Sequence, residues 1–244
     1  MTPGGQTIWI IGASEGLGAA LARKLHRRGA RLILSARGAE KLDALAAELP
    51  GARALPLDVT DDASLAAAWE RTGLIDQVVY NAGTYDPMRA QEWDAPSVLR
   101  MADTNFTGAL RVLGHVLPYF VARGAGRITL VGSLAGFRGL PGAIGYGASK
   151  SALMHLAENL HVDLAGTGVS VRLANPGFIR TRLTDKNDFA MPQIMTPEAA
   201  ADHVLRAMTG RRFSTSFPRP FAWLFRIFSI LPDAIYFRIM GRSN

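Results

Sequence analysis

Four side chains in this 244-residue chain stand at spacings that suit proton transfer at an oxygen atom. Tyr146 and Lys150 lie four residues apart in Tyr146-Gly147-Ala148-Ser149-Lys150, on one face of a helix. A free phenol titrates near pKa ~10, too high for acid–base work at neutral pH, and a nearby ammonium favours the phenolate and lowers that value. Ser133 stands thirteen residues before Tyr146, at the end of the apolar run Ile128-Thr129-Leu130-Val131-Gly132. Its hydroxyl there can orient a carbonyl or alcohol oxygen beside the phenol. Asn105, within Asn105-Phe106-Thr107-Gly108 on a long helical stretch, is the fourth candidate. Each also has a plainer reading: the Tyr–Lys pair as a half-buried phenol beside a solvated ammonium, and Asn105 as a kinking or capping residue.

A second group of residues suits an anion. Ile11-Gly12-Ala13-Ser14-Glu15-Gly16-Leu17-Gly18 spaces its glycines G-x-x-x-G-x-G between a strand and a helix. Such a turn lets backbone N–H groups and a helix N-terminus approach a pyrophosphate, although an ordinary strand-to-helix turn can also call for glycine. With no cysteine, the chain has no disulfide, thiolate zinc site, iron–sulfur cluster or cysteine nucleophile. The five histidines are scattered without a ligand pattern such as HExxH, so no metal is expected.

The elements that must position these groups are legible as apolar runs alternating with helical spacing. Strands are predicted at Thr7 to Ile11, Arg31 to Ala36, Ala52 to Asp58, Asp76 to Tyr80, Gly126 to Val131 and Ser170 to Ala174, with a seventh near Phe213 to Phe217. Helices are predicted at Leu17 to Arg28, Ala39 to Leu49, Leu65 to Arg71, a long one at Ser97 to Arg123, Tyr146 to Leu164, and Thr196 to Met208 with Thr196 as N-cap. This rhythm implies an α/β chain whose mostly parallel sheet is covered on both faces. Gly12, Asp58, Asn81-Ala82-Gly83, Ser133 and Asn175-Pro176-Gly177 all follow strand ends, the side on which an open parallel sheet binds ligands.

In order and spacing together, these motifs resemble the short-chain dehydrogenase/reductase family over roughly residues 6 to 217. The glycine turn resembles its cofactor motif, with Ile11 where Thr is usual. Asp58-Val59 resembles its adenine-edge contact, Asn81-Ala82-Gly83 its strand-four motif, and Asn105, Ser133, Tyr146 and Lys150 its catalytic tetrad. Pro176-Gly177-Phe178-Ile179-Arg180-Thr181 is similar to its PGxxxT element near the nicotinamide. The resemblance implies a Rossmann-like doubly wound sheet of about seven strands in three α/β/α layers. It implies hydride transfer between a nicotinamide and a carbonyl or secondary alcohol, with Tyr146 as proton donor and Ser133 holding the oxygen. Lys150 would bind the nicotinamide ribose and depress the Tyr146 pKa, and Asn105 would position a water that relays protons to Lys150. Cofactor contacts are expected from Gly12, Ser14, Glu15, Gly16, Leu17, Gly18, Arg37, Asp58, Val59, Asn81, Ala82, Gly83, Tyr146, Lys150, Pro176, Gly177, Phe178, Ile179 and Thr181. Arg37, with no acid after the second strand, favours NADP(H), with NAD(H) as the alternative; Glu15 stands where a basic residue is often seen and would oppose a phosphate. Two rival readings keep the fold without this chemistry: a dinucleotide-sensing binding module and a membrane-docked scaffold.

After the PGxxxT element, Phe178 to Met195 has few periodic signals and is expected to form a mobile substrate lid, apolar enough for a hydrophobic, lipid-like substrate. Leu183, Phe189 and Met191 on the lid, with Ser133, Phe137 and Leu140, are the expected substrate pocket. Residues 1–217 are read as one catalytic domain and 218–244 as a basic amphipathic extension. The net charge of +7 invites a nucleic-acid or membrane partner. From Arg211 onward, however, there are six arginines and one acid, Asp233, so the preceding 210 residues carry only +2 and no nucleic-acid partner is expected. In that extension Phe221, Leu224, Phe225, Phe228 and Leu231 form a helical stripe, interrupted by Pro232. The stripe is expected either to lie on an anionic membrane or to pack on the protein or a partner subunit in a homodimer or homotetramer. The opening residues lack a basic leader and a long apolar run, which places the expectation in the cytoplasm, with peripheral contact at the inner membrane surface.

Overall fold

The computed structural model describes residues 3–241. Successive side chains of its first strand, β1 (Thr7–Ile11), enter opposite cores: Ile8 and Ile10 join one apolar cluster, Trp9 and Ile11 the other. A strand apolar on both faces needs cover on both. β1 is joined by β2 (Arg31–Ser35), β3 (Arg53–Ala54), β4 (Gln77–Tyr80), β5 (Gly126–Val131), β6 (Val169–Pro176) and β7 (Ser214–Phe217) in one sheet of order β3-β2-β1-β4-β5-β6-β7, every pair parallel. On one face lie α1 (Gly16–His26), α2 (Ala39–Glu48) and α7 (Pro197–Thr209); on the other α3 (Asp62–Thr72), α5 (Gly108–Arg123) and α6 (Ile144–Asp163). α4 (Ala95–Ala102) leads into α5, while α8 (Arg219–Ile230) and α9 (Asp233–Met240) follow β7. The strand order reverses between β1 and β4, which opens a crevice at their carboxyl ends.

Three expectations are corrected. The third strand is regular only at Arg53–Ala54, and beyond it Leu55 and Leu57 donate single backbone hydrogen bonds to Leu34 and Ala36, as an edge segment peeling away would. The long helix from Ser97 to Arg123 is broken by a π-helical turn at Asp103–Thr107. The buried Tyr80 hydroxyl donates to the Thr104 carbonyl at 2.6 Å, so a long-range contact takes up a backbone acceptor inside that turn. The tail stripe is also rotated. Phe221, Ala222 and Phe225 face the body, but Leu224 is 42% exposed. Arg242, counted with the tail by charge, lies outside the described residues.

The expected lid is anchored rather than loose. Ile179 bridges Met195 at its base, Thr184–Lys186 form a 3-10 turn, and Lys186 binds Asp86 at 2.6 Å on the loop after β4.

The tail is fastened by a residue that periodicity does not single out. Arg138 donates to the carbonyls of Phe228 and Leu231 at 2.6 Å each, where α8 has run out of intrahelical donors. It also pairs with Asp233 and lies 4.0 Å over the ring of Tyr236. Tyr236 is fully buried and its hydroxyl donates to the Gly139 carbonyl at 2.6 Å. Charge-assisted hydrogen bonds contribute ~1.5–3 kcal/mol each, so Arg138→Ala is expected to destabilise α8 and α9 by about 3 kcal/mol. Limited proteolysis will show new cleavage between β7 and α9; a digest unchanged from the parent would remove Arg138 as the fastening.

Candidate active site

The crevice between β1 and β4 is a cleft of about 680 Å³ that runs from Arg37 to Tyr146 and Lys150. Its floor is the glycine turn. Gly12 has φ +85°, and a Cβ there would stand 2.6 Å from the Ala82 nitrogen, so only glycine lets β1 and the loop after β4 approach this closely. Gly16 opens α1 with φ +54°, and a Cβ would meet the Thr181 methyl at 2.9 Å. The α1 N-terminus therefore faces the cleft with unpaired N–H groups, the usual seat for a pyrophosphate. Gly18 does not line the cleft. Its missing Cβ makes room for the Gly12 carbonyl, so it is a packing residue.

Most of the expected cofactor residues are brought together. Gly12, Ser14, Glu15, Gly16, Leu17, Arg37, Asp58, Val59, Asn81, Ala82, Gly83, Tyr146, Lys150, Pro176, Gly177, Ile179 and Thr181 all line the cleft. Asn81 donates its side-chain amide to the Gly12 carbonyl at 2.8 Å, and Asp58 accepts from the Thr60 backbone and hydroxyl, which shapes the turn presenting Val59. Phe178 is not among the lining residues. Its ring packs 5.9 Å from Phe189 and 5.7 Å from Phe221, toward the lid and α8. Leu183, expected in the substrate pocket, lines the same cleft. Phe137 and Leu140 pack beneath the tail against Leu134, Ala222 and Phe225. Met191 takes an amide hydrogen from Asn187 at its sulfur, 3.2 Å away.

At the outer end Glu15 does not stand as a bare negative charge. Lys41 binds it at 2.7 Å and Arg182 at 2.9 Å, and the Lys41 hydrogen bond, aided by the Arg182 charge, holds its carboxyl below the usual range. With Arg37 this end thus brings together three cations and one carboxylate. Lys41 and Arg182 come from α2 and the lid, too far along the chain for a local motif to reveal them.

At the inner end four elements converge. Tyr146 and Lys150 project from the first turns of α6, and Ser133 follows β5. The Lys150 ammonium donates to the Val131 carbonyl at 2.9 Å and lies 5.9 Å from the centre of the Tyr146 ring. Burial pulls the Lys150 pKa down to about 8. Burial raises that of Tyr146, and a hydrogen bond with Ser133 opposes the rise. Asn105, fully buried in the π turn, accepts from the Thr84 nitrogen at 2.7 Å and donates to the Thr84 carbonyl and the Ser149 hydroxyl at 3.0 Å each. Its side chain thereby ties the loop after β4 to α6, one residue from Lys150.

Two further residues reach this end, Tyr85 without any signal in the sequence and Phe221 legible only as part of the tail stripe. Tyr85 sets its ring edge-on to Tyr146 at 5.0 Å and donates its hydroxyl to Asn187 on the lid at 2.9 Å. Burial pushes its pKa up to about 12, and Tyr146 adds to the rise. Phe221 of α8 reaches the Pro176-Gly177 turn: a Cβ on Gly177 would lie 3.2 Å from its ring.

The cleft fits a nicotinamide dinucleotide in its chemistry, with cations at one end, backbone donors in the middle and a half-buried phenol beside a buried ammonium at the other. Residues 6–191 match the family model described as short chain dehydrogenase. An uncharacterized oxidoreductase of Myxococcus xanthus is 39% identical over 239 residues, covering 95% of this chain and 94% of its own. A short chain dehydrogenase from Burkholderia cenocepacia, solved in complex with NADP, is similar with TM-score 0.88 and 25% identity over 98% of this chain and 99% of its own. Another from Sphingobium yanoikuyae, in complex with NADPH, has TM-score 0.82 and 30% identity over 94% of this chain and 97% of its own. A family match of that length, with relatives that align over nearly their whole chains, makes this protein a member of the short-chain dehydrogenase family of NAD(P)-dependent oxidoreductases.

Proposed function

We propose that this chain is an NADPH-dependent reductase of a hydrophobic, lipid-like ketone. The observation that carries the reading is a half-buried Tyr146 hydrogen-bonded with Ser133 at the inner end of the cleft, with an aromatic cluster of Phe178, Phe189 and Phe221 beside the Pro176-Gly177 turn. When bound, NADPH supplies the hydride. Gly12, Gly16 and the α1 N-terminus hold its pyrophosphate, and Asp58, Val59 and Asn81 border the adenosine. Lys150 spends one of its three donors on Val131, and the other two serve the nicotinamide ribose hydroxyls. Ser133 orients the substrate oxygen, and the Tyr146 hydroxyl gives that oxygen its proton as the carbonyl becomes an alcohol. Asn105 acts by holding Thr84 and Ser149 in place around Lys150.

Three measurements test this. In an NADPH-oxidation assay over ketones of increasing chain length, kcat/KM is expected to rise with chain length, and Tyr146→Phe to abolish turnover while cofactor still binds. A preference for small polar ketones would overturn the lipid-like substrate, and turnover by the Phe variant would overturn the proton donor.

Phosphate selection is supported by Arg37 together with Lys41, which Glu15 steers toward the outer end of the cleft. A charge-assisted contact with phosphate is worth ~1.5–3 kcal/mol, part of which Lys41 already gains from Glu15. Arg37→Ala and Lys41→Ala are each expected to raise KM for NADPH about tenfold and leave KM for NADH within about twofold. Equal losses for both cofactors would mean that neither residue reads the phosphate.

The pH profile follows from Lys150. A lysine lowered to about 8 is charged below that pH and loses its proton as pH rises through it, whereas the raised Tyr146 keeps its proton over the same range. Reductive kcat/KM is thus expected to be flat near neutrality and to fall about tenfold per pH unit above ~8. A flat profile to about pH 9.5 would remove the Lys150 charge from the mechanism.

A further inference from the structure

α8 carries apolar side chains on two opposite faces, yet only one of them is covered. Phe221, Ala222 and Phe225 pack on the body, whereas Trp223, Ile227 and Ile230 are 65%, 48% and 81% exposed. At 3.6 residues per turn those three form a single stripe opposite the packed face. α9 continues the exposed surface with Ile235 and Phe237, 50% and 59% exposed. Seven of the fourteen exposed large apolar side chains among the described residues belong to these two short helices. Scattered exposed apolar residues are ordinary, but a concentration of this kind marks a docking surface.

The charge around the stripe selects the occupant. Arg219 and Arg226 flank it on α8, and Arg238 follows on α9, all exposed. The acid of this segment, Asp233, is already bound by Arg138, and no acid pairs with Arg219, Arg226 or Arg238 among the described residues. A second copy meeting this face about a two-fold axis would set arginines against arginines. An anionic lipid surface instead takes aliphatic and tryptophan side chains at the headgroup boundary and guanidinium groups at the phosphates. No helix among the described residues is long and apolar enough to cross a membrane, so α8 and α9 would lie along the surface.

We propose that the outer face of α8 and α9 docks this protein on an anionic lipid bilayer. The packed face of the same helix reaches the Pro176-Gly177 turn through Phe221, so the docked helix is also one that touches the cleft. Vesicle binding is read without turnover, so this inference stands or falls separately from the assigned reaction.

The test is co-sedimentation of the full chain with phosphatidylcholine vesicles containing about 30% phosphatidylglycerol and with phosphatidylcholine alone. Binding is expected to be at least about tenfold tighter on the anionic vesicles and to weaken in ~0.5 M NaCl. The triple variant Trp223→Ser, Ile227→Ser, Ile230→Ser is expected to lose at least about tenfold in vesicle affinity while keeping its thermal midpoint and its NADPH oxidation. No sedimentation of the parent, or equal sedimentation of the variant, overturns the proposal. So does a parent that fails to sediment and is a dimer by light scattering while the variant is a monomer, which would assign the face to a second copy.

Discussion

The arrangement depends on an ammonium in the interior. Lys150 is 4% exposed and donates to a single carbonyl, that of Val131, at the end of β5. Burying a cation is costly unless it is paired or hydrogen-bonded, and the drop in its pKa to about 8 expresses that cost. The neighbouring elements are set by the need to surround it. Gly83 comes close enough that a Cβ would lie 3.6 Å from the nitrogen, and Asn105 holds Ser149, the residue before Lys150. Asn105 in turn reaches that position through a widened helical turn that Tyr80 props from below. β4, β5, the π turn and α6 are thus fixed relative to one another by what one charged group requires.

The other end of the cleft follows a different rule. Here the charges are partly exposed, and each individual ion pair contributes little to stability. Their value lies in placement. Glu15 draws Lys41 from α2 and Arg182 from the lid into the same space. A residue that in sequence opposes phosphate binding is, in the fold, what gathers cations toward it.

The contrast explains what the sequence discloses and what it withholds. Strands β1 and β5 are legible to the residue because burial on both faces forces continuous apolar runs, and the glycine turn is legible because backbone approach leaves no other residue type. Tyr146, Lys150 and Ser133 are legible through fixed spacing on single elements. Asn105 is found by type, but the π turn around it is not, because its cause is a tyrosine 24 residues upstream in the chain. Lys41, Arg182 and Tyr85 escape for the same reason: their partners are 26 residues away or more, and no periodicity encodes the meeting. Phe178 turns toward Phe189 and Phe221 and not into the cleft, because residues in an irregular loop have no period from which facing can be read.

The tail shows the limit most clearly and has the widest consequence. Its stripe Phe221, Leu224, Phe225, Phe228, Leu231 is a valid helical face, yet Trp223, Ile227 and Ile230 make an equally good one on the other side. With apolar side chains on two opposite faces, hydropathy alone does not say which side is inward. Arg138 decides it, by capping the last carbonyls of α8 and stacking on Tyr236. Once that side is fixed, Ala222 and Phe225 rest on Leu134, the residue after Ser133, while Phe221 and Leu134 close on Gly177 from either side. The residue after Ser133, the Pro176-Gly177 turn and α8 then share one packed contact. A change in how the tail is held is therefore transmitted to the residue next to Ser133, and the surroundings of the Pro176-Gly177 turn belong as much to α8 as to the sheet.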